Sequence, residues 1–95
     1  MPEIDVKEAV SIAKAFVSEV LAEEKPYNIG LEEVEFDEGT GTWLVTIGFS
    51  RPWDKGPFST LSDTALRRDY RIVTVSDHLR TAVSMKRPEH VALHA

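Results

Sequence analysis

The chain has 95 residues, which is enough for one hydrophobic core and too few for two. Apolar residues make up 42% of it and charged residues 28%, so the composition excludes a disordered chain, a fibrous repeat and a membrane-embedded protein. The chain contains no cysteine, which excludes disulfides, thiolate metal sites and cysteine nucleophiles and fits the reducing cytoplasm.

Charge is distributed unevenly along the chain, whose net charge is −5. Residues 1–48 hold three lysines and eleven acidic residues, whereas residues 49–95 hold eight Lys or Arg and five acidic residues. This basic excess is much sparser than in proteins that bind phosphate backbones, so we predict no nucleic-acid partner. The acidic start and the lack of a long apolar stretch predict a cytoplasmic protein without an export signal or a membrane partner.

Residues 6–24 carry apolar side chains at steps of three and four, which is the pattern of an amphipathic helix. Asp5 stands directly before this segment and Glu8 follows three residues later, a spacing typical of a helix N-terminus. Pro26 disfavours a helical conformation in the residue before it. The sequence therefore predicts one helix over residues 6–24.

Beyond Pro26, apolar and polar residues alternate in four short segments, which is the pattern of β-strands. The predicted strands span residues 29–36, 42–50, 68–76 and 79–86, with a long loop over residues 51–67 and a frayed tail over residues 89–95. One helix before four antiparallel strands predicts a single two-layer α+β domain, in which the helix packs on a four-stranded meander sheet.

Two strands leave questions of phase open. In the first strand, Leu31 is out of phase with Val34 and Phe36, so either a bulge lies at the step from residue 32 to 33 or the strand starts at residue 33. In the third strand, apolar residues occur on both faces. We expect the face toward the helix to carry Trp43, Val45, Ile47, Tyr70 and Ile72. Leu44, Val73 and Val75 then lie on the opposite face, where a homodimer would cover them.

The order of helix and meander, together with the closing runs at residues 70–75 and 83–87, resembles the PepSY-type, cystatin-like small domains. The resemblance extends over most of the chain. It implies one helix packed on an antiparallel sheet and a non-catalytic role in binding or inhibiting another protein.

Motifs of known chemistry are absent from the sequence. No Gly-x-Ser-x-Gly elbow, P-loop or dinucleotide-binding fingerprint occurs, so we predict no catalytic residue and no cofactor. His90 and His94 have a spacing found in metal sites, but Glu89 is the only other ligand type in the tail, and we predict no metal. The acidic run at residues 32–38 is expected to coat an exposed edge strand rather than to hold a cation.

The long loop contains the best candidate for a binding site. Trp53 and Phe58 flank a charged, proline-restrained stretch, and Trp and Arg are enriched at interface hot spots. Either these two aromatic side chains anchor a partner, or they fold back over the sheet. Arginines after the loop either steer an acidic partner or pair with the acidic strand. The predicted partner-binding residues are Arg51, Trp53, Asp54, Lys55, Phe58, Arg67 and Arg68.

Two classes of function follow from these observations. The first is a small non-catalytic interaction module, similar to an immunity protein, an inhibitor or a subunit, that contacts another protein through residues 51–67 and the uncovered sheet face. The second is a small ligand-binding protein or enzyme with a pocket between helix and sheet. The predicted inner positions offer almost no polar groups apart from the phenol of Tyr70, which favours the first class.

Overall fold

In the computed structural model, which describes residues 2–52 and 68–88, one helix packs against a four-stranded antiparallel sheet of order β1-β2-β3-β4. The elements are α1 (Val6–Val20), β1 (Tyr27–Asp37), β2 (Thr42–Ser50), β3 (Asp69–Ser76) and β4 (Thr81–Lys86). This arrangement confirms the predicted two-layer α+β fold. Residues 53–67 and 89–95, which contain most of the predicted long loop and the whole predicted tail, lie outside the described residues.

The helix begins where its sequence predicts, because the Oδ1 atom of Asp5 accepts a 2.8 Å hydrogen bond from the backbone N–H of Glu8. It ends at Val20, earlier than the predicted residue 24, and a short 3-10 turn at Ala22–Glu24 follows it. The chain then reverses at Lys25, whose φ of 52° lies in the left-handed region. No helix in the described part of the chain is long and apolar enough to cross a membrane.

The core lies between α1 and the face of the sheet that the helix covers. Small side chains on the helix let it approach the strands closely, since Ala9, Ala13 and Val17 are fully buried. From the sheet, the fully buried side chains are Val45, Ile47, Phe49, Val73 and Val75, and Trp43 is nearly so.

The predicted inner face is right for β2 and wrong for β3. Val73 and Val75 are fully buried under the helix, whereas Tyr70 is 38% exposed and Ile72 is only half-buried. In β3 the inward phase is therefore the odd-numbered one. Apolar residues occur in both phases of this strand, so its own sequence does not distinguish the faces; the pairing with β2 does.

Bulges adjust the two edge strands of the sheet. The register of β1 shifts between Leu31 and Glu33, so of the two predicted alternatives the structure has the bulge and not the later strand start. Leu31 pairs with Ile47 of β2. In β4 a shift places Val83 outside the ladder, so that Ala82 and Met85 both pack against the core. The strand starts at residue 81 rather than 79, because the preceding turn extends over Asp77–Arg80.

Candidate functional site

The face of the sheet opposite α1, called the open face below, carries side chains arranged in straight rows across the strands. Its residues alternate with inward-facing ones along the strands, except at the bulges in β1 and β4. One row consists of Glu35, Leu44, Thr74 and Ser84, and the next consists of Glu33, Thr46, Ile72 and Lys86. Half-buried apolar and hydroxyl side chains therefore occupy the middle of the face, and charged side chains occupy its edges.

Charge on the open face changes sign from one edge to the other. The edge strand β1 contributes Glu33 and Glu35, both exposed. The opposite edge strand, β4, contributes Lys86, which is exposed and is followed by the exposed Arg87. The acidic run thus lies on an edge strand, as predicted, where its charge also opposes pairing with another strand.

A pair of glycines forms a flat floor near the end of the open face. Gly30 of β1 pairs with Gly48 of β2, and neither glycine has a side chain to occupy this space. An ion pair lies across them, because the Nη2 atom of Arg68 is 3.4 Å from the Oε2 atom of Glu32. A Cβ atom on Gly48 would stand 2.5 Å from that same Oε2 atom and 3.0 Å from Nη2. Arg68 therefore pairs with the acidic strand, one of the two predicted alternatives.

Next to this glycine floor the open face contains a groove of about 560 Å³. Its described lining combines guanidinium, carboxylate, hydroxyl and phenol groups and comes from β1, β2, β3 and the end of β4. The lining residues are Glu32, Thr46, Arg68, Asp69, Tyr70, Arg87 and Pro88. Within the described part of the chain, Arg87 has no ion pair.

A network of ion pairs lies at the base of the predicted long loop, where residues 51–67 connect β2 to β3. Arg51 directly follows β2 and Asp69 opens β3, and their side chains meet with an Nη2 to Oδ2 distance of 2.6 Å. Arg51 also contacts Glu24 at 3.0 Å, which connects the loop base to the end of the helical segment. Arg71 is 2.9 Å from Asp69. Both guanidinium groups lie near the ring of Phe49, at 5.4 and 5.5 Å from its centroid.

Asp69 is held in its charged form by this network. Burial raises the pKa of its carboxyl group. The hydrogen bonds from Arg71 and from the backbone N–H of Tyr70, together with the charges of Arg71 and Arg51, lower this pKa by more than burial raises it. The pKa of Asp69 is therefore below its ordinary value. At neutral pH its negative charge offsets part of the two arginine charges.

Asp77 performs a similar function at the opposite end of the sheet. Its carboxylate accepts backbone hydrogen bonds from Glu3 at 2.6 Å and Ile4 at 3.0 Å, and a third bond from the indole N–H of Trp43 at 3.2 Å. Burial raises the pKa of Asp77, but these donors and the charge of Arg80 lower it below the ordinary value. The carboxylate thus ties the segment before α1 to the sheet.

The structure describes two of the seven predicted partner-binding residues. The side chain of Arg51 is 12% exposed and belongs to the network at the loop base, while that of Arg68 lies on the open face. Five predicted residues lie outside the described residues: Trp53, Asp54, Lys55, Phe58 and Arg67. That these seven residues contact a partner stays a prediction.

Sequence reasoning missed the roles of Asp69, Arg71 and Asp77. All three share the inward phase of Val73 and Val75, and that phase was the available signal. Charged residues in the same phase as buried valines indicate buried ion pairs or capping carboxylates. The sequence analysis placed Tyr70 and Ile72 toward the helix. It therefore put these three charged residues on the outer face, where they resemble ordinary surface charges.

A second groove, of about 380 Å³, lies at the edge of the domain between α1 and β1. Its floor is apolar, and it includes Val6 and Leu31, each 43% exposed. Lys7 and Lys14 lie at its rim, and neither has an ion pair among the described residues. This groove is the described feature that corresponds to the predicted alternative of a pocket between helix and sheet.

The fold and the open face define a small two-layer α+β domain in which no helix or strand among residues 2–52 and 68–88 covers the open face. No family model, curated protein or solved structure matches the chain. The resemblance to PepSY-type domains therefore stays a prediction. Among residues 2–52 and 68–88, no three His, Asp or Glu side chains are grouped as a metal site would require.

Proposed function

We propose that the chain is a small non-catalytic interaction module that binds another protein through the open face of its sheet. The contact surface centres on the end of the face where residues 51–67 connect β2 to β3. The observation that carries this proposal is the groove of about 560 Å³, in which an exposed tyrosine lies among two arginines and a glutamate.

The side chains in this groove are of the types that dominate protein interfaces. Tyrosine and arginine are enriched among hot-spot residues, because each buries a large area while retaining a group that forms directional hydrogen bonds. Tyr70 is 38% exposed and stands one strand away from the glycine floor. The Arg68–Glu32 pair is partly exposed and long, so exchanging it for a partner's charges costs little.

The ion pairs at the loop base support the same proposal. Arg51 and Asp69 stand on either side of the connection between β2 and β3, and their contact holds the two ends of this connection together. A surface whose supports are ordered before binding loses less conformational entropy when it binds. The cysteine-free composition is consistent with a partner in a reducing compartment such as the cytoplasm.

Photo-crosslinking from defined positions tests the proposal. A photoreactive amino acid replaces Thr74 in the middle of the open face, and a matched variant carries it at Ser18, which is exposed on the helix. In the native host, we expect discrete protein adducts from position 74 and few from position 18. Equal adduct formation from both positions would show that the open face has no preference for protein partners and would reject the proposal.

A ligand-binding protein is the second candidate, and the groove between α1 and β1 favours it. An apolar floor beside Lys7 and Lys14 is suited to a small amphiphile with a carboxylate group. Titration with a medium-chain fatty acid, followed by calorimetry, tests this alternative. Saturable binding that Leu31→Asp abolishes would support it, whereas an absence of heat at two well-separated temperatures would eliminate it.

A further inference from the structure

The open face is electrically self-complementary. Glu33, Thr46, Ile72 and Lys86 stand in one row, so a negative and a positive side chain occupy the two ends of a single line across the sheet. Three strand spacings of about 4.8 Å separate them, or roughly 14 Å. Opposite charges at this distance do not pair within one chain, and neither residue has an ion pair among the described residues.

Two identical faces can stack in two symmetric ways. With a two-fold axis parallel to the strands, β1 of one copy lies over β4 of the other. Glu33 then meets Lys86 of the second copy, and Lys86 meets its Glu33. With an axis perpendicular to the strands, β1 lies over β1, so that Glu33 and Glu35 meet the same acidic residues. Like charges that face each other across two copies repel. The charge pattern therefore favours the arrangement with the axis parallel to the strands.

We propose that a second copy of this chain occupies the open face, related to the first by a two-fold axis that runs along the strands. This inference rests on the proposed function and names its partner. The two interchain Glu33–Lys86 pairs border a centre in which Thr46 and Leu44 pack against Ile72 and Thr74 of the second copy. Each contact occurs twice, as the symmetry of an isologous dimer requires.

The size of the face agrees with a dimer of modest affinity. Four strands at about 4.8 Å and roughly eight residues at 3.3 Å give a face of about 500 Å² in projection. Two copies therefore bury about 1,000 Å², which reaches the lower limit for a specific interface. Val73 and Val75, which the sequence analysis placed in a dimer interface, do not take part in this one, because α1 buries both residues.

Charge reversal with sedimentation equilibrium tests the arrangement. Glu33→Lys places two lysines opposite each other in the dimer, and Lys86→Glu places two glutamates there. Each variant alone is expected to dimerise at least tenfold more weakly than the unmodified chain. An equimolar mixture of the two variants, and the double variant within one chain, restore opposite charges and are expected to recover dimerisation. Glu19→Lys and Lys7→Glu, on exposed helix positions, are controls for net charge.

Three results would overturn the inference. The first is that the unmodified chain sediments as a monomer up to high micromolar concentration. The second is that Glu33→Lys and Lys86→Glu dimerise as well as the unmodified chain. The third is that the mixture of the two variants fails to recover the dimer. Circular dichroism verifies that each variant is folded. A monomeric chain whose position 74 still crosslinks to a protein of different mass would refute the dimer and leave the proposed function standing.

Discussion

The indole N–H of Trp43 donates a 3.2 Å hydrogen bond to the Oδ1 atom of Asp77, which links the start of β2 to the turn after β3. The same carboxylate accepts the backbone N–H groups of Glu3 and Ile4. Three parts of the chain that are distant in sequence therefore meet at one buried group. Each of those donors would lose its partner if the carboxylate were removed, and a buried donor without a partner is costly.

Replacing Asp77 with asparagine is expected to destabilise the fold. The amide keeps the shape of the carboxylate but directs an N–H group at a backbone N–H that the carboxylate oxygen had accepted. We expect a lower thermal midpoint and faster amide exchange at Glu3 and Ile4. The control is His78→Gln, since the side chain of His78 is 82% exposed, and this change should have little effect. Equal midpoints for the two variants would contradict the role assigned to Asp77.

Stability is expected to decrease in acid because the pKa values of Asp69 and Asp77 are both lowered by folding. A group whose pKa is lower in the folded state stabilises the fold fully above its unfolded value, which is about 3.9 for aspartate. That stabilisation disappears as the pH falls through the lowered value. The thermal midpoint should therefore change little from pH 7 to about 5 and then decrease toward pH 2.

The double variant Asp69→Asn, Asp77→Asn provides the matched control for this pH dependence. Its midpoint should be lower at pH 7 and should decrease less steeply in acid, because the two groups with lowered pKa values are absent. Thermal unfolding followed by circular dichroism across the pH series measures both slopes. Parallel slopes would mean that other groups cause the acid dependence.

The close contact between α1 and the sheet is tested by enlarging an alanine. Ala13 is fully buried, so Ala13→Leu forces extra methyl groups into a packed core and should destabilise the fold by about 1–3 kcal/mol. Ala15 is exposed on the same helix, and Ala15→Leu should change stability by less than about 0.5 kcal/mol. Chemical denaturation gives both values. If Ala13→Leu destabilised the fold less than Ala15→Leu, a different face of α1 would pack against the sheet.

The glycine floor is tested by adding a single methyl group. In Gly48→Ala the new Cβ overlaps the ends of Glu32 and Arg68, which can swing away because both side chains are flexible. We expect the fold to remain and the ion pair to open. Gly30→Ala is the matched control, since its Cβ would stand at an ordinary 3.7 Å from Arg68.

A double-mutant cycle measures the pair in both backgrounds. With Glu32→Ala and Arg68→Ala, an exposed pair of this kind couples by about 0.2–1 kcal/mol in the unmodified chain and in Gly30→Ala. The coupling energy should decrease toward zero in Gly48→Ala. Unchanged coupling there would show that the pair does not lie across the glycines.

Much of the architecture could be predicted because local patterns agree with each other. The spacing of Asp5 and Glu8 predicted the start of the helix, and unbroken alternation gave both ends of β2 and its inner face. The helix end was predicted too late, because the last residues tighten into a 3-10 turn before Lys25 reverses the chain. The candidate site was predicted only in part. Arg68 lies on the open face, but its predicted contact with a partner stays a prediction, and Tyr70 was placed on the wrong face.

The amino-acid pattern by itself determined which elements form and in what order, because helical and strand periods depend only on neighbouring residues. Tertiary structure alone decided which face of β3 is buried, since apolar residues stand on both of its faces and only pairing with β2 and contact with α1 distinguish them. It also decided that Asp69 and Asp77 are partnered inside the fold. Asp69 bonds to its neighbours Tyr70 and Arg71 but also to the more distant Arg51, and the donors to Asp77 come from Glu3, Ile4 and Trp43. No local pattern records these long-range contacts.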